Sequence, residues 1–365
     1  MTTTILVGDV REQLRTLADN SVHCIVTSPP YWGLRDYGVD GQIGLEASPA
    51  EFIAAMVGVF DELRRVLRPD GTCWMNMGDS YAGGRCHTGH PDPLRSKNEG
   101  LTEAMRAGRM MTASRRRDDA PVPRSDVRVP GLKPKDLVMM PHRLAIALQD
   151  AGWWVRQDIV WSKPNPMPES VRDRCTKAHE YIFLLTKSDS YYYDRDAIAE
   201  PVSPNTHARL SQDVQNQVGS ARANGGAKTN GNMKAVGRKL ADAGRGTKNN
   251  GSFDAAMAII PETRNKRSVW TITTQPFAEA HFATFPPELP ETCIKAGCPP
   301  GGIVLDPFFG AGTTGLVAER LQRDCIGIEL NPAYAEIARR RIIGDCPILA
   351  DVRVVVAVPA ELESA

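Results

Sequence analysis

The sequence predicts an α/β protein organised around a doubly wound, mostly parallel sheet. Short apolar runs typical of buried strands alternate with stretches in which apolar residues recur at helical spacing. In the last third of the chain, the run "GIVLD" is followed by a glycine-rich turn, a helical stretch and a second apolar run. Such alternation is typical of parallel sheets covered by helices on both sides. The 365 residues, 42% hydrophobic and 24% charged, have the composition of a globular protein.

Helix-capping residues and prolines mark where the predicted strands and helices begin and end. "VHCIVT" is interpreted as a buried strand that the following Pro-Pro step ends. Ser48 and Glu51 make a capping box with Pro49 at the first helical position, and Asn331 caps the last helix. The predicted strands are 5–7, 22–27, 72–78, 154–161, 181–186, 302–306 and 324–330, and the predicted helices are 11–17, 49–67, 141–151, 314–321 and 332–342.

The bulk composition predicts a cytoplasmic protein. The chain has no apolar run near the roughly 18 residues that a membrane span needs, and its N-terminus lacks the pattern of a signal peptide. Its eight cysteines are scattered and form no C-x-x-C pair. A reduced compartment is therefore favoured over a disulfide framework.

Basic residues are concentrated in two segments although the net charge is only +1. Lys and Arg outnumber Asp and Glu by 12 to 6 between Gly83 and Lys135, and by 11 to 5 between Glu200 and Ser268. These segments fit arms presented to a polyanion, or alternatively solvated loops whose charge has no partner. If they bind a nucleic acid, the residues that we expect at its phosphates are Arg115, Arg116, Arg117, Lys234, Arg238 and Lys239.

The glycine turn "LDPFFGAGTTG" (305–315) contains the pattern G-x-G-x-x-G from Gly310 to Gly315. Glu329, about 20 residues on, ends the next predicted strand, where a carboxylate can bind both hydroxyls of a ribose. NAD satisfies this spacing. Asp306, however, places a carboxylate where a pyrophosphate would lie, which favours the cationic S-adenosylmethionine. The third interpretation is that the glycine turn packs tightly at the start of a helix and binds no ligand.

The proline segment "TSPPYWGLRDYG" (27–38) combines a hydroxyl, a rigid Pro-Pro pair and a ring. The exocyclic amine of a nucleobase is a poor nucleophile, and acceptors for both of its hydrogens would favour its attacking form. Ser28 offers a hydroxyl oxygen, and Pro30 restricts Pro29 so that its carbonyl is rigidly aimed. Tyr31 can stack on a flipped base. The pattern predicts direct methyl transfer from sulfur to nitrogen, against the alternative of a strand-ending turn.

Two other chemistries are not predicted. Attack at ring carbon C5 would want a thiolate, conventionally in a Pro-Cys pair, and no such dipeptide occurs. Cys86, His87 and His90 lie close together, but no second ligand pair is near them, so no metal site is expected.

Together these motifs resemble the amino-methyltransferases of DNA, the N4-cytosine and N6-adenine enzymes. The proline segment precedes the glycine turn, as in the β-type permutation of that family. "GDV" (8–10), the stretch 161–188 and "HFATFPPEL" (281–289) resemble further family motifs. The resemblance implies Ser28, Pro29, Pro30 and Tyr31 as catalytic residues. It implies a cofactor shell of Asp9, His281, Asp306, Pro307, Phe308, Gly310, Gly312, Thr313, Glu329 and Asn331.

The resemblance also implies a Rossmann-like, seven-stranded sheet, bound S-adenosylmethionine, base flipping in double-stranded DNA and a restriction-modification setting with a cognate endonuclease. Ser rather than Asp or Asn at position 28 favours cytosine N4, with adenine N6 as the alternative. The predicted division of the chain is a catalytic half (1–82 and 136–200) interrupted by a basic loop (83–135), a target-recognition region (201–268), a cofactor-binding half (269–345) and a tail (346–365).

Two further alternatives remain at this point. The same chemistry could act on RNA or on a protein amide, and the fold could serve as a catalytically silent DNA-binding module. His179 and Glu180 are read as structural or close to the base pocket, with no chemistry assigned to them.

Overall fold

The computed structural model describes residues 1–33, 38–82, 131–203, 262–275, 284–347 and 350–356. The strands are β1 (Thr2–Val7), β2 (Val22–Thr27), β3 (Leu67–Met77), β4 (Trp154–Ser162), β5 (His179–Thr186), β6 (Glu200–Pro201), β7 (Thr263–Arg264), β8 (Val269–Thr271), β9 (Ile303–Asp306), β10 (Asp324–Glu329) and β11 (Asp351–Val356). The helices are α1 (Val10–Arg15), α2 (Pro49–Val66), α3 (Met140–Asp150), α4 (Glu288–Gly297), α5 (Thr313–Arg320) and α6 (Pro332–Asp345).

In the described part of the chain, nine strands form one sheet in the order β11-β1-β10-β9-β2-β3-β5-β4-β8. Only β5 runs antiparallel to its neighbours, β3 and β4, so the sheet is mostly parallel as predicted. The expected seven strands are joined by β11 and β8, one at each edge. Neither strand was predicted from the sequence, because β8 is short and β11 carries exposed valines without alternation.

Helices cover both faces of the sheet. Side chains of one strand alternate between faces. Ile25 of β2 and Met75 of β3 belong to the apolar cluster that contains the buried side of α2. Their neighbours in sequence point the other way, since a Cβ on Gly297 of α4 would lie 3.3 Å from the Cys24 sulfur and 2.6 Å from the Trp74 indole nitrogen. The predicted doubly wound α/β architecture is therefore confirmed.

Helix α2 shows how local signals position the core. The Ser48 hydroxyl accepts a hydrogen bond from the Glu51 amide at 3.3 Å, and Pro49 occupies the first turn, as the capping box predicted. The buried side of the helix is lined by Phe52, Met56, Val59, Phe60, Leu63 and Val66, which are all fully buried.

The chain divides into two compact units, Met1–Asp194 with Ser268–Ala365, and Arg195–Arg267. In the second unit, β6 pairs with β7, and the Glu200 carboxylate bonds Arg267 at 3.0 Å. The predicted domain boundaries and the recognition role of 201–268 stay predictions. Among the helices that the structure describes, none is long and apolar enough to cross a membrane.

Candidate active site

The proline segment and the glycine turn lie at the same edge of the sheet. The parallel strands β1, β10, β9, β2, β3 and β4 end there, and the antiparallel β5 begins there. The proline segment follows β2, and the glycine turn follows β9, which is the direct neighbour of β2. In open α/β sheets, ligands bind at the carboxyl ends of the strands.

The proline segment and the glycine turn are joined by a buried hydrogen bond. The Thr27 hydroxyl donates to Asp306 Oδ1 at 2.8 Å, across 279 positions of sequence. Asp306 also accepts from the Phe308 amide at 3.1 Å and from the Thr314 hydroxyl at 2.6 Å. This carboxyl is 1% exposed, and burial raises its pKa to about 6 although these bonds oppose the rise. This carboxyl therefore joins the two motifs by hydrogen bonds inside the protein, and it does not present its charge to solvent.

The glycine turn has a conformation that requires glycine. Gly310 and Gly312 have φ of 52° and 73°, in the left-handed region. A Cβ on Gly312 would lie 2.7 Å from the Cβ of Ala338, so this glycine lets α6 pack closely. A Cβ on Gly310 would meet nothing within 4 Å. The backbone at Gly310 therefore faces open space and can be approached by a ligand.

Glu329 closes the glycine turn from the next strand. Its Oε2 accepts from the Gly310 amide at 2.7 Å, and its Oε1 accepts from the Asn331 amide at 2.8 Å. Burial raises the pKa of this carboxyl to about 7, against the effect of those amides. Each oxygen keeps a lone pair that could accept a ribose hydroxyl.

Other predicted cofactor residues have structural partners. Asp9 caps α1 and bonds Arg11, which lowers the pKa of its carboxyl despite partial burial. Thr313 is buried and accepts from Arg341 at 2.9 Å. Asn331 caps α6 through the Ala333 amide. Pro307 is buried and Phe308 half-buried.

Tyr31 is held by a charged pair that sequence analysis left without a role. Its hydroxyl donates to Glu180 Oε2 at 2.8 Å, and Lys163 pairs with the other oxygen of Glu180. The side chains of Glu180 and Lys163 are only 17% and 18% exposed. The Lys163 ammonium also lies 4.2 Å from the centre of the Trp161 ring. Burial raises the pKa of Tyr31 well above its usual value, and the Glu180 charge raises it further, so the phenol stays protonated.

Two neighbours act on the pKa of this phenol. The Ser28 side chain and the Gly78 amide both lower the pKa of Tyr31, against the larger effect of burial. A Cβ on Gly78 would lie 2.8 Å from the Tyr31 ring, so only glycine allows this approach. Pro29 is buried, whereas Ser28 and Pro30 are half-buried. The structure thus brings the four predicted catalytic residues to the edge of the sheet beside the glycine turn.

Asp79 and Lys177 also lie at this edge and were not predicted. Asp79 Oδ1 accepts from the Met140 amide at 3.1 Å, while Oδ2 is buried and has no partner in the described residues. Lys177 donates to the Asp79 carbonyl at 2.5 Å, and burial lowers the pKa of its ammonium. The signal that could have found them is their position, two residues after the end of β3 and two residues before the start of β5.

Several predicted residues lie outside the described part of the chain: His281, Arg115, Arg116, Arg117, Lys234, Arg238 and Lys239, with Cys86, His87 and His90. Their roles stay predictions. No group of three or more His, Cys, Asp or Glu side chains in the described ranges is arranged to hold a metal.

Comparison with known proteins gives consistent results. A profile of the DNA methylase family N6_N4_Mtase matches residues 22–340. The Type II methyltransferase M.Cfr9I of Citrobacter freundii is 43% identical over 342 residues, covering 94% of this chain and 88% of the relative. M.SmaI of Serratia marcescens, also a Type II methyltransferase, is 42% identical over 340 residues, covering 93% and 90%.

Two solved structures share the fold. TTHA0409 of Thermus thermophilus, a DNA modification methylase by its description and solved with S-adenosyl-L-methionine, is 20% identical at a TM-score of 0.53, covering 97% of this chain and all of the other. The PvuII DNA methyltransferase, cytosine-N4-specific, is 18% identical at a TM-score of 0.54, covering 96% and 95%.

Proposed function

The chain belongs to the N6_N4_Mtase family of DNA methylases, and from that premise we propose that it transfers a methyl group from S-adenosylmethionine to the N4 amine of a flipped cytosine in double-stranded DNA. The observation that carries the proposal is the junction of the two motifs. The 2.8 Å bond between Thr27 and Asp306 holds the proline segment and the glycine turn at adjacent strand ends. A donor and an acceptor bound at these ends would be neighbours, which is what direct transfer needs.

The residues of the glycine turn fit the cofactor. Open space at Gly310 leaves room for a ligand against the backbone, and Glu329 has lone pairs for the hydroxyls of a ribose. Phe308 is half-buried beside them and offers an apolar surface. Asp306 supports the turn from the buried side through its bonds to the Phe308 amide and the Thr314 hydroxyl. When bound, S-adenosylmethionine supplies an electrophilic methyl group on a sulfonium.

The proline segment would act on the amine of the base. Ser28 Oγ and the Pro29 carbonyl would accept its two hydrogens and so leave the nitrogen lone pair free to attack. The Tyr31 ring would stack on the base, a contact worth roughly 1–3 kcal/mol per base. Loss of one amine proton after transfer restores the neutral product.

Cytosine is proposed because Ser28 is a neutral hydroxyl where adenine enzymes of this family carry Asp or Asn. The cytosine-N4 specificity of the PvuII enzyme supports the same choice. The basic segments would contact the phosphates of the duplex. The Type II naming of the relatives supports a cognate restriction endonuclease, and we propose the cytoplasm as the place of action.

Mass spectrometry of nucleosides tests the proposal. The full-length chain is incubated with labelled S-adenosylmethionine and with DNA, RNA and protein in competition, and Tyr31→Ala is the matched control. We expect labelled N4-methylcytosine from DNA. N6-methyladenine as the sole product would contradict the base assignment, label in RNA or protein alone would contradict the substrate, and no label would favour a silent DNA-binding module.

A further inference from the structure

The hydroxyl of Tyr31 is anchored to a charged pair that comes from two other strands. It lies 2.8 Å from Glu180 Oε2, and an ionised carboxylate has no hydrogen to give, so the Tyr31 hydroxyl is the donor. Lys163 pairs with the other oxygen of Glu180, and both of these side chains are more than four-fifths covered. A hydrogen bond to a charged group in such a covered site is stronger than one between exposed neutral groups. The far end of the Tyr31 side chain is therefore held before any ligand binds.

The sheet holds this charged pair in place. Glu180 lies in β5 opposite Trp161 of β4, and just beyond the paired strands the Lys163 amide donates to the Ala178 carbonyl at 2.8 Å. The Lys163 ammonium also lies 4.2 Å from the centre of the buried Trp161 ring. Both members of the pair are thus attached to the ends of paired strands.

A second contact limits how the Tyr31 ring can turn. The hydroxyl lies on the axis about which a tyrosine ring rotates, so its hydrogen bond fixes the direction of the ring but not its plane. Gly78 lies against the edge of the ring, because a Cβ there would be 2.8 Å from Tyr31 Cε2 and 3.3 Å from the Glu180 carboxyl carbon. The hydrogen bond and this contact together restrict both the direction and the plane of the ring.

The Tyr31 ring has no aromatic neighbour in the described part of the chain. At the same edge of the sheet, by contrast, the Tyr181 ring packs against the rings of His142, His179 and Phe183. Tyr31 is also only half-buried. A ring that is held in place and partly uncovered can receive a flat ligand such as a nucleobase.

We propose that Glu180 and Lys163 are positioning residues that preset the Tyr31 ring for stacking on the flipped base. This inference rests on the proposed function and gives the charged pair a task in it. A base that leaves the duplex loses the stacking of its neighbours, and the Tyr31 ring replaces part of that loss. A ring that is already ordered does so without losing side-chain entropy in the complex, whereas a freely moving tyrosine would lose it there. The base is then held in one orientation toward the methyl donor.

A double-mutant cycle in the full-length chain tests the proposal. One change is Tyr31→Phe, which keeps the ring and removes the anchored hydroxyl. The other change, Glu180→Leu with Lys163→Met, replaces the charged pair by apolar side chains of similar size and leaves no buried charge unpaired. Single-turnover methylation of unmodified DNA at saturating S-adenosylmethionine should fall about tenfold for each change, in line with one lost hydrogen bond to a charged group. The combined variant should be no more than about twofold slower than either change alone, because both remove the same anchor.

Stacking is measured separately from methyl transfer. A duplex carries 2-aminopurine, whose fluorescence is quenched by stacking, at the target position mapped by sequencing of DNA that the wild type has modified. Either change should make the bound duplex brighter than it is with the wild type, while the Kd of S-adenosylmethionine stays within about twofold. A merely structural role would lower the melting temperature and leave the fluorescence of the bound duplex unchanged.

Effects that multiply in full in the combined variant, or a Tyr31→Phe enzyme with the wild-type rate and fluorescence, would overturn the inference. Glu180→Gln replaces the apolar pair should that variant fail to fold. Its amide oxygen still accepts from Tyr31, so we expect a loss of about threefold that disappears in the Tyr31→Phe background. A wild-type enzyme that methylates adenine would overturn only the base assignment, whereas a wild-type chain that transfers no methyl group would overturn the proposed function.

Discussion

The proline segment and the glycine turn follow neighbouring strands, yet they are held in place in different ways. The glycine turn is fixed by its backbone amides, since that of Gly310 donates to Glu329 and that of Phe308 to Asp306, and by glycines that allow close packing. The proline segment is fixed by side chains from distant strands, above all by Glu180 and Lys163. The amides of such a turn are the same whatever side chains the turn carries, whereas a segment held by charged side chains depends on each of them.

The two regions also differ in what they leave exposed. The carboxyl of Asp306 accepts hydrogen bonds inside the protein. The open surface of the glycine turn is formed by the backbone of Gly310. In the proline segment, by contrast, the Ser28 and Tyr31 side chains are only half-buried. Substitution should therefore damage methyl transfer at the proline segment, and cofactor binding at the glycine turn.

The largest effect is expected for Tyr31→Ala, with Pro29→Ala as its companion. Loss of the ring removes stacking worth up to about 3 kcal/mol, so Tyr31→Ala should lower kcat/KM by about 100-fold. Because neither side chain belongs to the glycine turn, binding of S-adenosylmethionine measured by calorimetry should stay within about twofold of wild type. Normal turnover by either variant would contradict the pocket assignment.

A smaller effect is expected for Glu329, on the cofactor side. Glu329→Ala should weaken S-adenosylmethionine binding by about tenfold, the loss of one charge-assisted hydrogen bond. The pKa of Glu329 is raised to about 7, and the ionised form is the better acceptor for ribose hydroxyls. Affinity in the wild type should therefore fall as the pH drops below about 7, while Glu329→Gln shows no such fall. Equal pH profiles for the two proteins would show that this carboxyl does not bind the cofactor.

The smallest change in turnover, less than about threefold, is expected for Asp306→Asn. The asparagine has the same shape as the aspartate that joins the two regions. The folded state raises the Asp306 pKa from 3.8 to about 6, so it binds the proton more tightly than the unfolded state. Stability from this group is present below 3.8 and is lost as the pH rises through about 6.

Denaturant titrations measure this loss. Between those two pKa values, the free energy of unfolding should fall with pH by about 1 kcal/mol per pH unit more steeply in wild type than in Asp306→Asn. Parallel curves would contradict a buried, proton-binding Asp306.

The same contrast explains what could be predicted from the sequence. The glycine turn, the capping box at Ser48 and the strand that ends at Thr27 are local patterns, and each was found where the spacing placed it. Glu180 and Lys163 carry no local signal, because their role comes from the meeting of β4 and β5 with β2 and β3 at one edge. Asp306 was expected to face the ligand, since spacing says nothing about which side of a turn is buried.

The order of strands has a consequence for how the protein is made. β1 lies between β10 and β11, and β2 lies between β9 and β3, so two strands that are consecutive in sequence are separated by two that are synthesised about 300 residues later. A growing polypeptide folds from its beginning, and β1 has no partner until residues 324–356 leave the ribosome. Until then β1 and the free side of β2 expose unpaired backbone that can join other chains. Truncation of the last 50 residues should thus yield inclusion bodies rather than a smaller domain, and chaperones should raise the yield of the intact chain.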